Sequence, residues 1–156
     1  MPGRHGIRQA WWHGRFRGHG YKITTDRKIV LGILAKSEKH LSTEELYIKA
    51  HAINPAIGMT TIYRTLDILI KMRLVNKFDF GDGRARFELS EGSKGVRHHH
   101  HLVCTSCNKV IDYTDFIDEE VELLTRTEKG LTGKYNFKIS RHLLQFYGLC
   151  EKCNNG

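Results

Sequence analysis

The chain has no apolar run long enough to cross a bilayer as a helix, a task that takes about 20 consecutive residues. Its opening, MPGRHGIRQAWWHGRFRGHGYK, is basic and glycine-rich but lacks an apolar h-region and a small-residue cleavage site. A secretory signal is therefore not expected, and a cytoplasmic location is. Cysteine is sparse, with four in 156 residues, and in a reducing compartment such a set points to metal rather than disulfides. No H-E-x-x-H motif and no nucleophile triad can be found, which argues against a zinc hydrolase.

What the chain does have is positive charge. Its formal net charge is +8, and a surplus of this size favours an anionic partner, with nucleic acid the first candidate. The length permits one domain, or two small ones sharing a modest core. Residues 1–21 mix Arg, His, Gly and aromatics without a clear period. They are expected to form a basic flexible arm, either a plain disordered tail or one that touches DNA phosphates.

Ordered periodicity begins near Thr25. Ile29, Val30, Ile33 and Leu34 recur at helical spacing. Ser42 and Glu45 fit a capping box, with Leu41 and Leu46 as a hydrophobic staple, so a second helix is expected to about Ile53, before Asn54-Pro55. A third is expected from near Thr60, with Ile62, Leu66, Leu69 and Ile70 on one face. Leu74 to Phe80 reads as a strand, Gly81-Asp82-Gly83 as a turn, and Arg84 to Leu89 as the returning strand. Three helices and a hairpin make a winged helix over 22–90, and its third helix would enter the major groove. Glu91 to Gly95 has two glycines and no apolar residue, and 91–97 is expected to be a hinge linker. In the remainder, 98–156, short strands at Leu102-Val103 and Val110-Ile111 flank a C-x-x-C pair. A helix follows from Asp115 to about Lys129, with Phe116, Val121 and Leu124 toward a core, and then a strand from Asn136 to Tyr147. The fold class is thus α+β, a winged-helix DNA-binding domain followed by a small αβ domain. The latter is too small to hide much apolar surface alone, and dimerisation with a structural metal would remedy that.

Two constellations carry chemistry. Cys104, Cys107, Cys150 and Cys153 form two C-x-x-C pairs, enough for a closed tetrahedral zinc site. Metal-free thiols, or a redox pair whose oxidation releases zinc, are the other readings. His98-His99-His100-His101 lies just before the first pair. In a strand, His99 and His101 would face one way and His98 and His100 the other, so one run can feed two metal sites. A solvated histidine cluster is the alternative. The chain has ten histidines, which raises metal storage or delivery as a rival function, but a winged helix argues against it.

The segments GMTTIYRTL (58–66), HHHHLVCTSCNKVIDY (98–113) and HLLQFYGLCEKC (142–153) resemble, in order, the recognition helix, the histidine and cysteine motif, and the C-terminal end of ferric uptake regulator family proteins. The resemblance spans residues 20–153. It implies a homodimeric, possibly tetrameric, metal-dependent repressor that binds an AT-rich palindromic DNA operator. It implies a structural zinc on the four cysteines. It implies a regulatory site of His40, Glu88, His99, His101 and Asp112, taking Fe(II) or Mn(II), with Zn(II) able to substitute in vitro. A further site would use His98, His100, Glu119 and His142, although the family usually has Asp at the place of His100. Thr60, Thr61, Tyr63 and Arg64 would face DNA. Lys22 would enter the minor groove, and Arg27 would bind phosphate or simply face solvent. Because the structural pairs consume every cysteine, a zinc sensor fits less well. Glu88 with Asp112 is intermediate between the iron-sensing and peroxide-sensing branches, and Arg64 leans to iron.

Overall fold

In the computed structural model, residues 12–37, 39–90 and 99–155 are described. The hinge expected over 91–97, with His98, lies outside them. The chain divides between residues 96 and 97 into two compact units.

The first unit is the winged helix. Residues 12–18 form a short helix, α1. This corrects the expectation of a flexible arm: Trp12 and Phe16, one turn apart, are buried in the core, Phe16 to 1% exposure. Arg15 Nη2 also donates to the carbonyl of Met72 at 2.8 Å. The helix ends in a Schellman arrangement. Gly20 takes the left-handed conformation (φ +71°), and the Gly20 and Tyr21 amides donate to the carbonyls of Arg17 and Phe16 at 3.1 and 3.0 Å. Residues 1–11 lie outside the described set.

Three longer helices follow, α2 (Thr25–Lys36), α3 (Thr43–Ile53) and α4 (Met59–Lys71). Thr24 caps α2, its side chain accepting from the Arg27 amide. The α3 capping box is complete: the Ser42 amide donates to Glu45 Oε2 at 2.8 Å, and the Glu45 amide to Ser42 Oγ at 3.2 Å. The staple residues Leu41 and Leu46 are both buried. On α4, Ile62, Thr65, Leu66 and Leu69 are buried, so the helix lays one stripe on the core and turns the other outward.

Strands β1 (Leu41–Ser42), β2 (Val75–Asp79) and β3 (Ala85–Leu89) form an antiparallel sheet in the order β1-β3-β2. The β1 strand was not anticipated; two residues carry no pattern, and it exists only through its pairing with Phe87 and Arg86. The β2–β3 turn is the wing tip. Gly81 and Gly83 supply positive φ, Asp79 Oδ1 accepts from the Gly81 amide at 2.8 Å, and Asp82 Oδ1 accepts from the Arg84 amide at 3.1 Å.

The second unit has β4 (His100–Cys104), β5 (Val110–Tyr113), α5 (Ile117–Tyr135), β6 (Gln145–Gly148) and a short α6 (Glu151–Asn154). The sheet order is β5-β4-β6, with β4 antiparallel to β5 and parallel to β6. Here two expectations need correcting. The strand expected from Asn136 to Tyr147 is confined to Gln145–Gly148, the stretch that reaches β4. Phe116, expected toward a core, is 73% exposed, and no residue of the 19-residue α5 is buried. A three-stranded sheet has too little area to cover these side chains. Leu123, Tyr135, Phe137, Leu143 and Leu149 also stand open to solvent. Among the described residues, no helix is long and apolar enough to cross a membrane.

Candidate metal centres and DNA-facing surface

The four cysteines converge within the second unit. Each C-x-x-C sits where a strand gives way to a tight turn, at the end of β4 and at the start of α6. The Thr105 amide donates to the Gly148 carbonyl at 2.8 Å and so holds the two ends side by side. The four sulfurs lie within 4.8 Å of one another. Cys107 and Cys150 Sγ are 3.7 Å apart, and the Cys150 amide points at Cys104 Sγ at 3.4 Å. The Cys107 amide, then that of Cys150, stabilises negative charge on Cys104 and draws its thiol down to about 6. Ser106 draws Cys153 down, but the sulfurs of Cys150 and Cys107 outweigh it and push Cys153 up to about 12. Four thiolates cannot share so small a volume without a cation. The donor set and spacing fit a closed tetrahedral zinc, which would supply structure rather than reactivity.

The described histidines, His99 to His101, alternate in facing as an extended strand requires. His99 and His101 meet edge to face, with ring centroids 5.1 Å apart. His101 stands opposite Asp112 in the β4–β5 register, and its Nε2 is 3.7 Å from Asp112 Oδ1. His100, on the other face, lies opposite Tyr113 and has its ring 6.1 Å from that of His142. Its Nδ1 contacts Glu120, not the expected Glu119, which is exposed. One residue along a helix turns a side chain by about 100°, and only Glu120 is aimed at the sheet. Tyr113 donates to Glu120 Oε1 at 2.9 Å, and His142 contacts Glu128 at 2.7 Å. Glu120, Glu128 and Tyr113 were missed by sequence reasoning. Of these, Tyr113 was accessible from the antiparallel register, whereas the two glutamates depend on the rotation of α5. Burial, then the Glu120 carboxylate, pushes the Tyr113 phenol up to about 12.

In the first unit, His40 and Glu88 come together. His40 Nε2 is 3.3 Å from Glu88 Oε2, and both side chains are nearly shut off from water. His40 meets the rings of Phe78 and Phe80 edge-on, with centroids 5.1 and 5.3 Å away. Those two phenylalanines stack on each other, as residues two apart at a strand end can. A buried carboxylate beside a buried imidazole is costly unless positive charge shares the place, and nitrogen and oxygen donors suit a divalent ion.

The outward stripe of α4 holds the expected DNA contacts. Thr60 and Arg64 are exposed, Tyr63 is 51% exposed, and Thr61 is half-buried. The helix begins at Gly58 with no side-chain cap, which leaves its first amides available to an anion such as phosphate. Lys22 is exposed in the segment before α2, whereas the Arg27 guanidinium is engaged within the protein, donating to the Lys22 carbonyl.

A winged helix whose helix α4 turns one stripe to solvent, followed by an αβ unit rich in metal donors, defines a class: the winged-helix metalloregulators. Residues 18–147 match the model of the ferric uptake regulator family. The chain is 40% identical over 136 residues to the ferric uptake regulation protein of Bacillus subtilis, covering 86% of each. It is similar to the Vibrio cholerae ferric uptake regulator, a structure described with rearranged DNA-binding domains. That match has 32% identity and a TM-score of 0.63 over 88% of this chain and 98% of that one. The Helicobacter pylori ferric uptake regulator shares the fold at a TM-score of 0.73, with 23% identity, over 96% of this chain and 93% of that one. The chain belongs to the ferric uptake regulator family.

Proposed function

We propose that the protein is a cytoplasmic, homodimeric transcriptional repressor, without catalytic activity, that uses Fe(II) as corepressor to control iron uptake genes. The observation that carries this is α4: a buried apolar stripe backs an outward stripe of Thr60, Tyr63 and Arg64, in a chain of this family. Arg64 would donate to guanine or phosphate, and Tyr63 would pack on a thymine methyl. Lys22 would reach the minor groove. In this reading 22–90 is the DNA-binding domain, 91–97 the hinge and 98–156 the dimerisation domain. The exposed apolar side chains of the second unit supply the surface that a partner copy would cover.

His40 and Glu88 from the first domain, with His99, His101 and Asp112 from the second, would be the regulatory ligands. When bound there, a divalent ion supplies positive charge shared by both domains. The ligands would thereby favour the domain arrangement whose two recognition helices match the half-sites of a near-palindromic operator. The histidines must be neutral to serve, so the response should weaken in acid. The additional site would draw on His98, His100 and His142, with Glu120 taking the part expected of Glu119. Asp112 sustains a second reading, a peroxide-sensing repressor of the same family loaded with Fe or Mn.

The test is anaerobic fluorescence anisotropy of a labelled AT-rich palindromic duplex at fixed salt, with structural zinc kept and Fe(II) titrated. Coupling of the usual size predicts roughly 5- to 150-fold tighter binding with metal. His99→Ala should lose that response and stay dimeric by sedimentation. Equal binding with and without metal would sink the corepressor reading, and peroxide added to the complex separates the two branches.

A further inference from the structure

Lys22 lies in a segment held at both ends. On one side, the Schellman turn at Gly20 closes α1. On the other, Thr24 caps α2. Between them Tyr21 and Ile23 pack against the core, and alternation along an extended backbone turns the intervening Lys22 outward, where it is exposed. One more tie comes from α2. The Arg27 guanidinium donates to the Lys22 carbonyl and lies 6.0 Å from the centroid of the Tyr21 ring. Arg27 thus holds the backbone of Lys22 and covers the side chain next to it.

We infer that Arg27 is a positioning residue for DNA binding: it straps the Lys22 segment so that the Lys22 ammonium is presented in one place, and it acts on DNA through Lys22 rather than through a phosphate contact of its own. The inference rests on the DNA-binding reading above. Its physical basis is preorganisation. A lysine on a free loop loses conformational freedom on binding, and one on a strapped backbone loses less.

The experiment is a double-mutant cycle on the full-length, metal-loaded protein, with the AT-rich palindromic duplex measured at several salt concentrations. Arg27→Gln should weaken binding by about 2- to 12-fold, the worth of one net hydrogen bond. Lys22→Ala should weaken it at least as much and lower the salt slope by about 0.9, as the loss of one cation that displaces counterions from DNA does. The doubly substituted protein should bind no more weakly than Lys22→Ala alone, with the same slope. Further weakening of the Lys22→Ala protein by Arg27→Gln, with a further slope change near 0.9, would show a direct phosphate contact and overturn the inference. No effect of Lys22→Ala would overturn it as well, while Arg64→Ala still reports on DNA binding itself. Should Arg27→Gln melt below the assay temperature, Arg27→Lys enters the same cycle with the same criteria. Absence of metal-dependent binding by the unaltered chain would instead count against the functional reading on which the inference stands.

Discussion

Phe16→Ala should destabilise the winged helix far more than its place in a glycine-rich N-terminal segment suggests. The ring is 1% exposed and belongs to the cluster formed by α2, α3 and α4. Emptying such a site costs about 3–5 kcal/mol, the lost transfer energy plus the cavity left behind. Against a typical domain stability of roughly 5–15 kcal/mol, that is a large fraction. At about 4–8 °C per kcal/mol for a unit of this size, the melting temperature should fall by at least roughly 12 °C. His13→Ala, exposed on the same helix, should stay within about 0.5 kcal/mol of the unaltered chain. Trp12 is buried on α1, so its indole fluorescence follows that helix, while circular dichroism reports on the helices of both units. In the unaltered protein the two melts of the first unit should coincide. A Phe16→Ala cost under about 1 kcal/mol, or an indole transition well below the loss of the first unit's own helices, would refute the packing of α1 on the core.

Two further outcomes are expected. Cys107→Ser removes one of four converging thiolates, so zinc retained through mild chelation should fall well below one ion per chain, and amide exchange in β4 and β6 should quicken; full retention would remove Cys107 from the site. Tyr113, held neutral up to about 12 from an ordinary 10, favours folding below pH 10, and this contribution is lost as pH rises from 10 toward 12. A late step in the tyrosinate absorbance titration should disappear in Tyr113→Phe and move down in Glu120→Gln.

Much of the winged helix was legible because each element carries a local signature. Ser42 and Glu45 announce α3 through a bond pattern that closes within four residues, and the Ile62–Leu66–Leu69 stripe announces α4 by its period. The wing follows from glycines where only positive φ will serve. Helix α1 escaped because Gly14 and Gly18 dilute the Trp12–Phe16 spacing; glycine is a poor helix former, and packing on the core overrides that preference.

By itself, then, the sequence determined the chemistry on offer: two cysteine pairs, a histidine run that strand alternation must split, and a helix face carrying Thr60, Tyr63 and Arg64. These are set by residue type and by periods of two or 3.6, which need no distant partner. The tertiary structure alone decided which groups meet. It brought the four sulfurs within 4.8 Å, chose Glu120 over Glu119 through the rotation of α5, and turned Arg27 onto the Lys22 carbonyl. Such pairings depend on where separate elements pack, and rotations of a third of a turn are invisible in a linear pattern.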